Sequence, residues 1–238
     1  MTILNKTILA LAMVSCAAFT VKAEDDWANI GRYAAENRAI IENPDSLPGL
    51  VVFLGNSITD YWPGVHPEFF ADNNFVGRGI GGQTTYQFLV RFRNDVVALN
   101  PAAVVINGGI NDIAQNNYVY NEDITFGNLV SMAEIANANG IKVIMTSVLP
   151  SNRCYWRLDI TDVAPKVASL NARIKEYAKK HGYAYIDYFT PMVLGDEGAI
   201  NPAYSSDGVH PSPEGYTVME QIALPVIQST LKKKSKKK

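Results

Sequence analysis

Cysteine is nearly absent from this 238-residue chain, which carries only Cys16 and Cys154. Cys16 falls in an N-terminal stretch expected to be removed, leaving one thiol and excluding a disulfide-stapled fold. Cys154 reads as a small packed residue, because nothing beside it in sequence lowers a thiol pKa. Histidine is scarce as well: His66, His181 and His210 are the three in the chain, and they lie far apart. No His-rich cluster exists to complete a zinc site, so neither a metal nor another cofactor is expected. The chain also lacks an uninterrupted apolar run of the roughly 20 residues that a membrane span requires. Nor does it have the basic excess of a nucleic-acid binder. Its formal net charge is −2, and setting aside two leader lysines and six at the end leaves −10 on the body. An acidic body argues against nucleic acid as a partner.

What is present points to one exported domain. Lys6 precedes an apolar stretch from Thr7 to Thr20, and Val21-Lys22-Ala23 offers small-residue cleavage before Glu24. Residues 1–23 are therefore expected to be a signal peptide, placing the protein in the periplasm or outside the cell. Lipoprotein processing at Cys16 is the less favoured alternative, since Met13 matches such a site poorly. Residues 24–231 form one domain of ordinary size, whose composition of 47% hydrophobic and 18% charged residues is globular. The lysine-rich residues 232–238 are expected to be a solvated, disordered end with no assigned role.

Within the domain, helical spacing over Trp27 to Asn43 precedes five strand-like runs. These are Leu50–Leu54, Phe75–Gly79, Ala102–Asn107, Lys142–Val148 and Tyr183–Tyr188. Each is followed by a helical stretch, the last four near Thr85–Leu99, Ile124–Asn139, Val163–His181 and Pro213–Leu231. Val- and Ile-rich strands alternating with helices predict an α/β fold with a parallel sheet covered on both faces. Ligands in such sheets sit at the carboxyl ends of the strands, near the switch in strand order.

The chemistry-bearing residues fall at those ends. Ser57, in Gly55-Asn56-Ser57-Ile58-Thr59, follows the first run. A serine hydroxyl is a weak nucleophile and needs a base, usually histidine. His181 ends a helix and His66 reads as a surface-loop residue. His210 follows Asp207 in Asp207-Gly-Val-His210, a spacing that lets a carboxylate orient one imidazole nitrogen while the other faces a serine. Acyl transfer also needs donors for an oxyanion. Gly79-Ile80-Gly81-Gly82 opens a helix with exposed N–H groups, and Asn111, in Gly108-Gly109-Ile110-Asn111-Asp112, adds an amide. A nucleotide-binding glycine turn belongs after the first strand, and these glycines follow the second.

Taken together, the four blocks resemble the SGNH (GDSL-type) hydrolase family. Gly55-Asn56-Ser57-Ile58-Thr59 is similar to its first block, Gly81-Gly82 to its second, Gly109-Ile110-Asn111-Asp112 to its third and Asp207-Gly-Val-His210 to its last. Arg78 to Thr85 resembles the platelet-activating-factor acetylhydrolase branch. The resemblance implies a three-layer α/β/α sandwich, flavodoxin-like, with a five-stranded parallel sheet. It also implies Ser57 as nucleophile, His210 as base and then acid, and Asp207 as its orienting partner. The Ser57 N–H, the Gly82 N–H and the Asn111 amide would form the oxyanion hole. One departure is Asn56 where the family usually has Asp, which is expected to alter local hydrogen bonding and spare catalysis. The missing Gly-x-Ser-x-Gly elbow separates the chain from α/β-hydrolases of the usual kind.

The expected activity is hydrolysis of a short acyl ester, an acetyl group on carbohydrate foremost, through an acyl-enzyme. Tyr61-Trp62 and Tyr155-Trp156 suggest stacking walls for a sugar ring, with Trp62 and Trp156 as the candidate binding residues and Asp60 and Asp112 as hydroxyl contacts. Alternatives are a lysophospholipase or thioesterase taking longer chains, an acyltransferase with the same acyl-enzyme, and a noncatalytic glycan-binding protein on this scaffold.

Overall fold

A computed structural model describes residues 26–232. The expected leader, with Cys16, lies outside the described residues, as does the tail beyond Lys232. Lys232 itself, read as the first tail residue, is the last residue of a helix.

Turns from Asp26 lead into α1 (Ala34–Glu42), shorter than the helical spacing from Trp27 suggests. Asn29 takes φ +52, which no continuing helix accommodates. The central sheet comprises β1 (Val51–Gly55), β2 (Phe75–Gly79), β3 (Ala103–Ile106), β4 (Lys142–Thr146) and β5 (Ala184–Ile186). All four pairings are parallel, in the order β2-β1-β3-β4-β5. The register sets Val52 beside Val76 on one side and Val104 on the other.

The helices between strands are α2 (Ser57–Val65) and α3 (Pro67–Ala71), α4 (Thr85–Asp95), the short α5 (Ile110–Ile113) with α6 (Glu122–Ala138), and α7 (Val163–His181). After β5 come the short α8 (Phe189–Met192), a hairpin of β6 (Val193–Leu194) and β7 (Ala199–Ile200), and α9 (Pro213–Lys232). The hairpin had no clear sequence signal, each strand being two residues long.

The near-continuous apolar strands are explained by two cores. Val52, Leu54, Val104 and Ile106 face Phe88, Leu129, Met132, Val167 and Leu170 from α4, α6 and α7. Val51, Phe53, Val105 and Ile144 face Ile58, Trp62, Phe70, Tyr216, Met219 and Ile227 from α2, α3 and α9. With both faces of the sheet buried, no alternation of polar and apolar residues survives. The three-layer flavodoxin-like sandwich is the observed architecture, and its strand order switches between β1 and β3. Ser57 and Asn111 begin or lie in the helices that follow those two strands, one on each side of the switch. Among the described residues, no helix is long and apolar enough to cross a membrane.

Candidate active site

Ser57 is the first residue of α2, directly after β1. Asn56 caps the helix, its Oδ1 accepting the Ile58 N–H at 3.0 Å. The Ser57 N–H opens the helix, where no intrahelical carbonyl is in register to accept it and the macrodipole favours negative charge. Asn56 keeps the capping acceptor that an Asp would supply. Its Nδ2, however, is buried with no hydrogen-bond partner among the described residues, so the hydrogen bonding here differs from that of a carboxylate.

From the other end of the chain, His210 brings Nε2 to 2.8 Å from Ser57 Oγ. Its Nδ1 lies 2.7 Å from Asp207 Oδ2. A carboxylate accepts only, so Nδ1 carries the proton, and Nε2 is left to accept from the Ser57 hydroxyl. Asp207 is fixed in turn: its Oδ1 accepts the backbone N–H groups of Val209 and His210, each at 2.8 Å, and the Ser205 hydroxyl at 3.2 Å. Partial burial works to raise the Asp207 pKa, but the His210 backbone and ring and the Val209 N–H outweigh it and hold the carboxyl below its ordinary value. Gly208, at φ +85, makes this tight Asp-to-His turn.

The glycine turn after β2 lies against the same serine. Gly82 has φ +75, a conformation that disfavours any side chain. Asn111 Nδ2 donates one hydrogen to the Gln83 carbonyl at 2.9 Å, a bond that uses one of its two amide hydrogens. Behind it Asp112, expected to contact substrate hydroxyls, is instead fully buried, its carboxylate accepting from the Thr85 N–H and hydroxyl and from Tyr118. Burial raises the Asp112 pKa against those hydrogen bonds.

Ser57, His210, Gly81, Gly82 and Asn111 border one open cavity of about 240 Å³. Its remaining wall is Tyr61, Tyr155, Trp156 and Asn116. The Tyr61, Tyr155 and Trp156 ring centroids lie 5.5, 6.2 and 6.5 Å from that of His210.

Two more of the residues expected at the substrate are not walls of this cavity. Trp62 is not a wall of the cavity. It is 2% exposed, packs on Phe53, Phe69 and Tyr216, and donates its indole N–H to Glu220 at 2.8 Å. One residue along a helix is a turn of about 100°, so Tyr61 and Trp62 face apart, and the larger ring takes the core. Asp60 spends its carboxylate within the protein, on the Gly81 N–H at 3.0 Å and on Arg32 at 3.2 Å. Trp156 does line the cavity, its indole donating to Asn116 Oδ1 at 2.8 Å. His66 caps α2 with Nδ1 2.7 Å from Glu220, so it is not in a free surface loop. Cys154 is fully buried, and burial pushes its thiol up to about 11.

Asn116 carries no sequence signal of its own. It binds Trp156 through Oδ1 and the Gly82 carbonyl through Nδ2 at 3.0 Å. The signal would have been the left-handed Gln115 just before it, at φ +54, which sequence does not display.

The family profile described as GDSL-like lipase/acylhydrolase matches residues 53–218. A GDSL-like lipase from Bacteroides thetaiotaomicron is 53% identical, with a TM-score of 0.82 over 85% of this chain and 98% of its own. A Bacteroides fragilis protein assigned as an acylhydrolase is 55% identical, with a TM-score of 0.85 over 88% of this chain and 100% of its own. An acetylxylan esterase of Geobacillus stearothermophilus shares the fold at 20% identity and a TM-score of 0.59, over 76% of this chain and 94% of its own. A curated relative, the N-acylneuraminate cytidylyltransferase of Escherichia coli O18:K1:H7, is 24% identical over 85% of this chain. The chain spans 46% of that relative's length. With a family profile matched over most of the domain and two Bacteroides structures more than half identical to it, the chain belongs to the GDSL-like lipase/acylhydrolase family of serine ester hydrolases.

Proposed function

We propose that the protein is an exported esterase that removes short acyl groups, O-acetyl foremost, from carbohydrate. The observation that carries this reading is the Ser57 hydroxyl, 2.8 Å from His210 Nε2, facing a small cavity ringed by three aromatic side chains. Ser57 Oγ attacks the ester carbonyl while Nε2 takes its proton. The tetrahedral oxyanion is met by the N–H groups of Ser57 and Gly82 and the second amide hydrogen of Asn111. Collapse expels the alcohol, which leaves with the proton from Nε2, and an acyl-Ser57 ester remains. Water then attacks that ester, giving its proton to Nε2, and release of the acid restores the serine. Asp207 keeps the imidazole in the right tautomer and stabilises the imidazolium as it forms.

Size and lining support this choice of substrate class. A cavity of about 240 Å³ is below the roughly 300–1,000 Å³ of sites that bury drug-sized ligands. It suits an acetyl group at the serine with a sugar ring against Tyr61, Tyr155 and Trp156. The fold neighbour from Geobacillus is named for acetylated xylan, an acyl ester on a carbohydrate. Export rests on the leader pattern of residues 1–23.

Acid release should be measured from p-nitrophenyl acetate, butyrate and octanoate and from an acetylated polysaccharide, with wild type and Ser57→Ala. The expected result is serine-dependent turnover that falls steeply from acetate to octanoate, with acetate freed from the polysaccharide. A preference for octanoate would transfer the reading to lipid esters, and glycan binding without turnover would leave a binding protein.

A further inference from the structure

The glycine turn that presents the proposed oxyanion donor has little of its own to hold it in place. Gly79, Gly81 and Gly82 have no side chains to pack, and glycine surrenders more backbone freedom on ordering than any other residue. Yet an oxyanion donor must stand within about 2.7–3.1 Å of the oxygen it stabilises. Something outside the turn has to fix it.

We infer that the N-terminal segment 26–42, acting with Asp60, braces the turn Gly79–Gln83 so that the Gly82 N–H is aimed before substrate arrives. This inference rests on the oxyanion role proposed for Gly82. The brace touches the turn at its beginning, middle and end. Tyr33 donates its hydroxyl hydrogen to the Gly79 carbonyl, while its ring lies under the buried Arg78 guanidinium at 4.7 Å. Asp60 accepts the Gly81 N–H at 3.0 Å and is itself paired with Arg32 at 3.2 Å. Gln83 donates from Nε2 to the Ala28 carbonyl at 2.7 Å, and both residues are buried.

The consequence for Gly82 follows from peptide geometry. Asp60 pins the peptide before Gly81 through its N–H. Asn116 pins the peptide after Gly82 through its carbonyl, at 3.0 Å. The peptide between them, which carries the Gly82 N–H, is planar and has both neighbours fixed. Its direction is thereby set. Of the anchors, the Arg32–Asp60 pair is the weakest, because Arg32 is half exposed and such pairs contribute little. The buried Gln83–Ala28 bond and the Tyr33–Gly79 bond hold more firmly. The family profile begins at residue 53, so the segment lies outside the stretch it matches.

The test is kcat and KM on p-nitrophenyl acetate for wild type, Tyr33→Phe, Asp60→Ala and Asp60→Asn, each expressed per site titrated with a fluorophosphonate, with thermal midpoints alongside. Ser57→Ala is run in parallel. Tyr33→Phe keeps the ring on Arg78 and removes only the hydroxyl. It should lower kcat by about 5-fold, the worth of one hydrogen bond. Asp60→Ala should lower kcat on the order of 10–100-fold, as small misplacements do, with KM nearly unchanged. Asp60→Asn retains an acceptor oxygen for Gly81 and should recover most of that loss. Wild-type kcat per titrated site in Tyr33→Phe and Asp60→Ala overturns the brace, even where the midpoint falls. A rise in KM alone for Asp60→Ala overturns it too and makes Asp60 a substrate contact. Turnover that persists in Ser57→Ala instead removes the esterase assignment beneath it, and the brace with it.

Discussion

Asp207 grips His210 at two points: Oδ2 lies 2.7 Å from the ring Nδ1, and Oδ1 accepts the backbone N–H of the same residue at 2.8 Å. The imidazole is thus oriented by a carboxylate that its own backbone holds in place. Geometry of this kind is in place before any substrate binds, and it carries a pH signature.

The Asp207 carboxyl is held below its ordinary pKa in the folded protein, hydrogen bonds outweighing the opposing effect of burial. A depressed folded-state pKa contributes stability above the unfolded value of roughly 3.9, and that contribution is lost as pH falls through the folded value. Urea unfolding of wild type and Asp207→Asn should therefore diverge most at pH 5–7 and converge below about pH 4. A gap that does not change with pH would show that the carboxylate's charge is not what these bonds hold.

Catalytic losses should separate nucleophile from oxyanion donor. Ser57→Ala is expected to lose about 10⁶-fold in kcat. Asn111→Ala, which removes the amide hydrogen left after the Gln83 bond, should lose about 10²–10³-fold. Stopped-flow measurement of the p-nitrophenol burst locates the effect. An Asn111→Ala enzyme that acylates at the wild-type rate would exclude its amide from the oxyanion hole.

The two tryptophans should behave oppositely. Trp62, buried with its indole on Glu220, should cost about 3–5 kcal/mol of stability as Trp62→Ala, with KM unmoved in the folded fraction. Trp156→Ala, which loses a partly buried ring and its bond to Asn116, should cost less stability than Trp62→Ala and raise KM for the polysaccharide more than for p-nitrophenyl acetate. Chemical denaturation and steady-state kinetics on the same preparations decide between the two roles. Equal KM effects would return Trp62 to the substrate.

Gly79 should tolerate no side chain. A Cβ there would fall inside contact distance of the Asp60 N and Thr59 C backbone atoms and 2.6 Å from the Asn56 carbonyl oxygen. Backbone atoms cannot swing aside as a side chain can. Gly79→Ala should thus destabilise by at least about 1–3 kcal/mol and displace α2 from β2, lowering the urea midpoint. A midpoint within error of wild type would mean that α2 moves freely against the sheet.

Much of the site was legible because strand ends are legible. Valine- and isoleucine-rich runs such as Leu50–Leu54 and Ala102–Asn107 mark strands, and the glycine, serine and asparagine just after them must lie at one sheet edge. The helix at Ser57–Val65 was harder to place, since Pro63 and Gly64 stand within it and disfavour helix. The ladder also ends sooner than the apolar runs do. β4 stops at Thr146, where its partner β5 stops at Ile186.

The sequence by itself determined the order of elements, the parallel two-faced sheet and the candidates for the reacting residues, since all of these depend on local pattern and residue chemistry. It did not determine which way neighbouring side chains face. Tyr61 lines the cavity and Trp62 fills the core because α9 supplies Tyr216 to stack on the indole and Glu220, 158 residues away, to accept its N–H. Asp60 turns to Gly81 because β2 lies beside β1 in the sheet. Partners that far along the chain meet only when the sheet has formed, and their packing and hydrogen bonds then select one face of each helix for the interior and leave the other to the ligand.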